Sequence, residues 1–507
     1  MAVVEKRLRL LGAVAGIAAA AVALGVAELI AVLAGPQSAP IIAVGDVVVD
    51  NVPGSVKNFA VSVFGTHDKT ALIIGTFILL AIFAAVVGAL AVGDMRFGYA
   101  GIAVFGVIGV AAALTRPHAG IGAALPSIIG ALAGAAALSW LITGWRDPRP
   151  ALDGAPERRS LLVGSLIAIA GGAVLGVVGR SLGERRNVSA ARNSVNLPVP
   201  ASPAPSLPPD AAVAGQTHFV TSNDDFYRID TALIVPQVDP DTWTLRIHGR
   251  VGKPIELTYA QLLARPMIER YITLACVSNE VGGDLISNAR FLGVPLKDLL
   301  EEARPDPAAD QVIGRSADGF TTGAPTAAMM DGRDAMIAVG MNGEPLPVEH
   351  GFPARVVVPG LYGYVSATKW VTELELSSFA DFDAYWVPRG WSQQAPIKTE
   401  SRIDTPRDGG KKSAGQVVIA GVAWAQRRGI SKVEVRVDDG EWKTATLDPV
   451  PSIDTWRQWH LTWDATPGQH RLQVRATDNA GAVQTNAEAP PPPNGASGYH
   501  TIKVKIS

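Results

Sequence analysis

The chain has 507 residues, enough for several domains, with 48% hydrophobic residues and a net charge of −2. A near-neutral balance offers no electrostatic footprint for nucleic acid. The single cysteine, Cys276, excludes an intrachain disulfide and any zinc or iron–sulfur site built from cysteines alone.

The average hides two unlike halves. Residues 1–180 are rich in Ala, Gly, Val, Leu and Ile, with charges confined to short loops, whereas residues 210–507 hold nine of the eleven tryptophans. In the first half, five stretches near 10–34, 70–92, 97–114, 119–144 and 160–179 are each apolar and long enough to cross a bilayer as a helix. The first is too long for a cleaved signal peptide, and four more follow it. With the N-terminus in the cytoplasm, that side collects eight cations: Lys6, Arg7, Arg9, Arg96, Arg146, Arg149, Arg158 and Arg159. The other side, before the fifth helix, has three: Lys57, Lys69 and Arg116. This bias predicts an N-in, multi-pass protein of the cytoplasmic membrane, with everything after residue 180 outside. Arg158 and Arg159, in "ERRSLLVGSLIAIAGG", read either as ordinary charge bias or as a twin-arginine signal, which exports folded domains. Glu28 is the one ionisable residue well inside a predicted helix, near its outer end. His67 and His118 fall at outer helix ends, a poor placement for haem ligands.

Residues 181–216 contain "NLPVPASPAPSLPPDAAVAG", a Pro/Ala-rich composition that predicts an extended tether without a core. Order is expected from about His218. "TWTLRIHGRV" alternates like a strand and "TYAQLLAR" reads as a short helix. "RFLGVPLKDLLEEAR" joins a strand to a helix, and "ARVVVPG" and "KWVTELEL" read as strands. Residues 217–405 are therefore expected to form an α+β domain. From 406 to 507 the pattern is all strand. Turns are marked by Asp439-Gly440, Pro467-Gly468 and Asn479-Ala480-Gly481, which predicts an immunoglobulin-like β-sandwich.

The outer half resembles the sulfite oxidase family of molybdopterin-dependent oxidoreductases. The resemblance lies in an ordered series of segments: "FYRIDT", "YITLACVSNEVGG", "ISNARFLGVPLKDLL", "ADGFTTGAP", "MNGEPLPVEHGFPARVVVPGLYGYVSATKW" and "PRGWSQQAPIKTESRIDTP". It covers roughly residues 218–507 and points to a membrane-anchored bacterial (actinobacterial-type) form with five transmembrane helices. In that family the molybdenum is held by the pterin dithiolene and one protein thiolate, so the resemblance implies that Cys276 is the metal ligand. A soft anionic sulfur suits this metal. The cofactor is inserted in the cytoplasm, which would give Arg158 and Arg159 a purpose. The resemblance also implies that His350, Arg355 and Lys369 hold the pterin and its phosphate, and that Arg228 stands near the reacting face. Asn279 falls in a matching cofactor-binding motif; Arg290 also falls in a matching motif, without an assigned role. The terminal sandwich looks like the family's dimerisation domain, implying a homodimer.

Two departures bear on substrate. Sulfite oxidases carry an arginine shortly after the cysteine, where this chain reads "SNEVGG" with Glu280. Phe320 stands in the stretch expected to hold a catalytic tyrosine, and its ring cannot donate a hydrogen bond. Both point away from the sulfite dianion and toward a neutral or less charged S-oxide or N-oxide. No haem-attachment motif is present, so electrons are expected to pass to or from a quinone or a separate redox protein. The alternative from another class is a cofactor-free extracytoplasmic binding protein on a membrane anchor, with Cys276 merely buried.

Overall fold

A computed structural model describes residues 2–52, 68–116, 119–146, 157–184, 188–207 and 213–507. The chain divides into two compact units, Met1–Asn187 with Thr231–Gln237, and Val188–Asp230 with Val238–Ser507.

The first unit is helical: α1 (Ala2–Ala34), α2 (Pro40–Asn51), α3 (Asp68–Ala91), α4 (Met95–Leu114), α5 (Leu125–Arg146) and α6 (Glu157–Glu184). Among the described residues, five segments are long and apolar enough to cross a membrane: Leu8–Ala34, Thr70–Ala91, Met95–Leu114, Ile121–Thr143 and Leu162–Ser181. They match the five stretches expected from composition. The short helix α2, opened by Pro40 at its first position, was not anticipated. Helix α1 packs against α3, α5 and α6. Small residues allow this approach, because a Cβ on Gly16 would collide with the Ala84 carbonyl and one on Gly25 with that of Gly172. Glu28 lies within electrostatic range of Arg180 on α6. The paired Arg158 and Arg159 fall in the first turn of α6. Lys57, His67, His118 and Arg149 lie outside the described residues. Thr231–Gln237 belongs to this unit, with Ile234 packed on Ala31, Ala39 and Ile42.

In the second unit, one sheet runs in the order Ile255–Thr258, Thr244–Gly249, Val371–Ser377, Gln311–Ser316 and Thr321–Pro325. Another runs Ile268–Ala275, Ile286–Pro295, Met336–Met341 and Glu344–Pro345, with Arg355–Val357 also paired to Met336–Met341. The expected helix at 259 starts on a capping box, with Thr258 and Gln261 satisfying each other's backbone donors. These elements form the expected mixture of helices and strands.

Residues after 400 form two facing sheets. One contains Glu400–Thr405, Gly415–Trp424, Arg457–Ala465 and Thr446–Leu447; the other contains Lys411–Lys412, His500–Ile506, Gly468–Asp478, Ile430–Val437 and Lys443–Thr444. Trp459, Ile419, Val433, Leu472 and Val504 fill the core between them. Alternation is clearest in the second sheet, where His500–Ile506 buries every other residue, whereas Gly415–Trp424 and Glu400–Thr405 in the first are buried on both faces over most of their length. The first strand begins six residues before the expected boundary at 406.

The tether expectation for 181–216 is corrected. Helix α6 runs on to Glu184, and residues from Val188 belong to the second unit. Arg192 donates to the Leu346 carbonyl at 2.8 Å and pairs with Glu344 at 2.8 Å, while Ser202 bridges to Ile268. A Pro-rich segment has no core of its own, but it can still lie along a folded surface that satisfies its backbone.

Candidate active site

Strand Ile268–Ala275 delivers Cys276 to a tight loop. The Cys276 amide donates to the Leu285 carbonyl at 2.9 Å, and the Asn279 amide to the Cys276 carbonyl at 3.1 Å. The Asn279 side-chain oxygen accepts the Leu285 amide at 2.8 Å, so this residue fastens the loop. Gly282 has φ +79°, and a Cβ there would collide with the His500 ring. Cys276 is 9% exposed. Burial pushes its thiol pKa up, opposed by hydrogen bonds from Ser278. A bound cation is the agent that turns such a thiol into a thiolate.

Tyr227 and Tyr362 surround the thiol closely enough to interact electrostatically with it, and burial raises both phenols. The Tyr227 amide is fixed by Ser287 Oγ at 3.1 Å. Its hydroxyl stands 3.6 Å from where a Cβ on Gly363 would be, with the Ala275 carbonyl at 3.8 Å from the same point, so the phenol packs beside the end of the cysteine strand.

Beyond Tyr227 lies Arg355, 5% exposed. One guanidinium nitrogen donates to the His350 carbonyl at 3.2 Å, and the group lies 5.9 Å from the Phe291 ring centroid. Its Nε is buried without a hydrogen-bond partner, and no carboxylate pairs with it among the described residues. Burial lowers its pKa to about 10. His350 is 3% exposed, packs edge-on to Phe226 and has Nε2 3.1 Å from the Asn223 carbonyl. Burial and then the charges of Arg355 and Lys369 hold its pKa down to about 3, so it stays a neutral imidazole. Gly351, at φ +113°, closes this cradle, because a Cβ there would press at 3.1 Å on both Arg355 and Lys369.

Lys369 donates to Asp230 and to the Glu349 carbonyl, both at 3.1 Å. Burial lowers its pKa to about 8, opposed by Asp230. Asp230 also accepts from Arg228 Nε at 2.9 Å; the Asp230 side chain is 3% exposed and that of Arg228 45%. Sequence reading did not single out Asp230. Its signal was its place two residues after Arg228 in "FYRIDT". Asp318, also missed, accepts the Phe320 amide at 3.0 Å, and burial raises its pKa.

The structure thus brings Cys276, Arg355, His350, Lys369 and Arg228 into one connected region. Arg290 sits apart from the cradle, paired with Glu269 at 3.3 Å. Glu280 is exposed on the cysteine loop. Phe320 packs its ring 5.5 Å from that of Tyr385, and Arg389 stacks 3.7 Å over Tyr385. A phenol and a cation therefore stand beside the position where the sequence shows only phenylalanine.

The donor set fits the pterin cofactor. A buried guanidinium without a counter-charge calls for an anion such as a phosphate, a neutral histidine and a lysine adjoin it, and one soft sulfur stands across Tyr227.

Residues 232–386 match the oxidoreductase molybdopterin binding domain, so this part of the chain is a molybdopterin-binding oxidoreductase domain. Human mitochondrial sulfite oxidase is 30% identical over 322 residues, covering 54% of this chain and 58% of its own length. Chicken sulfite oxidase is 30% identical over 324 residues, 54% of this chain and 69% of its own. The chain belongs to the sulfite oxidase family. It is also 33% identical over 193 residues to nitrate reductase [NADPH] of Emericella nidulans, covering 33% of this chain and 22% of that enzyme. Among solved structures it is similar to the sulfane dehydrogenase SoxCD of Paracoccus pantotrophus, with TM-score 0.50 and 27% identity over 57% of this chain and 81% of that one. The chain spans about three fifths of the length of the mammalian sulfite oxidases it matches.

Proposed function

We propose that the chain is a membrane-anchored molybdopterin oxidoreductase that performs oxygen-atom transfer outside the cytoplasmic membrane. The carrying observation is Arg355, a buried cation with an unbonded Nε, set across Tyr227 from a buried thiol. A binding protein without cofactor would have no reason to bury that charge unpaired.

Cys276 would bind the metal, and Arg355, His350 and Lys369 the pterin and its phosphate, with Asn279 holding the cysteine loop in shape. When bound, the molybdenum cofactor supplies two-electron oxygen-atom transfer. Neutral His350 donates or accepts without adding charge. Asp230 fixes both Lys369 and Arg228, and leaves Arg228 exposed to face an incoming substrate. Burial around Tyr227 and Tyr362 keeps both phenols protonated as donors.

For substrate, exposed Glu280 on the cysteine loop favours a neutral or less charged S-oxide or N-oxide over sulfite. The Phe320 part of that expectation is offset, because the Tyr385 ring, a phenol, packs next to it. The test is molybdenum content together with turnover of both substrate classes. Wild type is expected to carry about one metal per chain, and Cys276→Ser to fold but lose activity by about a thousandfold or more, because a hydroxyl is a harder and less ionised donor. A fully active serine variant would end this reading.

The membrane orientation is part of the same proposal: N-terminus inside, catalytic unit outside, α6 crossing by the twin-arginine route. Arg158→Lys with Arg159→Lys keeps the charge but removes the guanidinium groups. It is expected to leave residues after 180 protected from protease added outside; normal exposure would reduce the pair to topological charge.

A further inference from the structure

The sandwich sheet containing His500–Ile506, Gly468–Asp478 and Ile430–Val437 turns Ile502, Val504, Leu472, Val474, Val433 and Val435 to the core. The pleat therefore sends the intervening residues outward. These are Lys503 and Lys505 on the first strand, Arg471 and Arg475 on the second, and Lys432 and Arg436 on the third. Glu434 is the one carboxylate among the outward strand positions, held by Lys432 at 3.1 Å and Arg475 at 2.9 Å. The register makes the imbalance worse, since Lys503 lies directly opposite Arg471 and Lys505 opposite Lys411. Facing like charges destabilise a sheet. Asp439 engages the Arg471 side chain at the turn, Asp438 accepts the Arg471 amide at 2.9 Å and Asp408 the Lys503 amide at 2.7 Å, but no carboxylate pairs with the side chains of Lys411, Lys503 or Lys505 among the described residues. Lysines can protect an open edge, yet Arg436, Arg471 and Arg475 lie on interior strands.

At one end of this face, Trp442 is flanked by Arg436 at 4.8 Å and Arg475 at 4.2 Å, with Tyr499 edge-on at 5.5 Å. Tyr499 is followed by His500, whose ring lies against Gly282 in the loop that begins at Cys276. The basic face is thus joined to the metal-binding loop through adjacent residues. A second copy across a two-fold axis would set cations against cations.

We infer that this face docks an acidic redox protein that exchanges electrons with the site at Cys276; the inference rests on the oxidoreductase reading above. For oxygen-atom transfer to a substrate X, X + H2O → XO + 2H+ + 2e−. The protons pass to solvent, and two oxidised one-electron carriers accept one electron each in successive encounters. Substrate reduction runs the same balance in reverse.

The test uses the full-length holoenzyme in nanodiscs, reduced with dithionite and mixed with oxidised plastocyanin, an acidic copper protein, or with a small dye. The second-order rate with plastocyanin is expected to fall with salt, and to drop about tenfold in Lys503→Glu with Lys505→Glu. The dye rate should not change. The variant should melt no lower than wild type, because each new glutamate faces Arg471 or Lys411. Four results would overturn the inference: a plastocyanin rate indifferent to the substitutions, a dye rate that falls equally, a loss seen only with phosphatidylglycerol in the nanodisc, which would assign the face to lipid, or a dimer converted to monomer, which would assign it to a second copy. Absence of molybdenum or of any dye reduction in wild type would instead remove the oxidoreductase reading itself.

Discussion

At one end of the site, Arg355 is buried with Nε unbonded and no carboxylate beside it; at the other, Lys369 shares Asp230 with Arg228. The two cations adjoin the same glycine, Gly351, yet their charge is compensated differently. A charge balanced by the protein belongs to the protein's own stability. A charge left unbalanced is a cost the folded chain carries until an anion binds. The comparison separates residues that hold the site together from the residue proposed to wait for the cofactor.

Lys369→Met would test the paired end and carries the largest expected effect. It leaves the Asp230 carboxylate buried with only Arg228, and should lower stability by about 3 kcal/mol. Thermal unfolding of the solubilised full chain would read this, with partial rescue by Asp230→Asn. An unchanged melting temperature would mean that the pair contributes nothing to the fold.

A second buried ionisable group without full compensation sharpens the contrast. Glu400 is 7% exposed, with one oxygen accepting from Gln484 at 3.0 Å and the other unbonded. Burial raises its pKa to about 8. Between the unfolded value of 4.5 and about 8 the folded state therefore binds more protons than the unfolded state, and stability falls as pH rises. Glu400→Gln should remove that fall. Its advantage over wild type is expected to grow by about 3 kcal/mol from pH 5 to pH 8. Parallel stability–pH curves for the two proteins would refute the assignment.

Arg355→Met should have the smallest effect on the cofactor-free protein, within about 1 kcal/mol of unchanged or slightly stabilising, because it removes an unpaired buried cation. The same variant should fail to retain molybdenum and pterin phosphate through gel filtration. Strong destabilisation with normal cofactor retention would reverse the comparison.

The helical unit was the more legible part of the chain. Apolar length alone marked its five segments, because a bilayer-spanning helix must satisfy its backbone internally and present an apolar surface throughout. Alternation marked the sandwich strands for a similar reason of surface exposure. The short helix α2 escaped because twelve residues fall below the length that signals a span.

The site was legible only as an order of motifs, which supplied Cys276, His350, Arg355, Lys369 and Arg228. Sequence by itself determined the composition of the two halves, the single thiol and the residue types available to hold an anion. It could not determine how charges pair, since Asp230 and Lys369 are 139 positions apart and meet only when two distant segments fold together. Nor could it place the Tyr385 ring beside Phe320, 65 positions away by number, or set Lys503 opposite Arg471 on a neighbouring strand. Periodicity records which face of an element is buried. Which charge finds a partner across that buried space, and which is left without one, depends on strand register and loop closure, and those exist only in the tertiary structure.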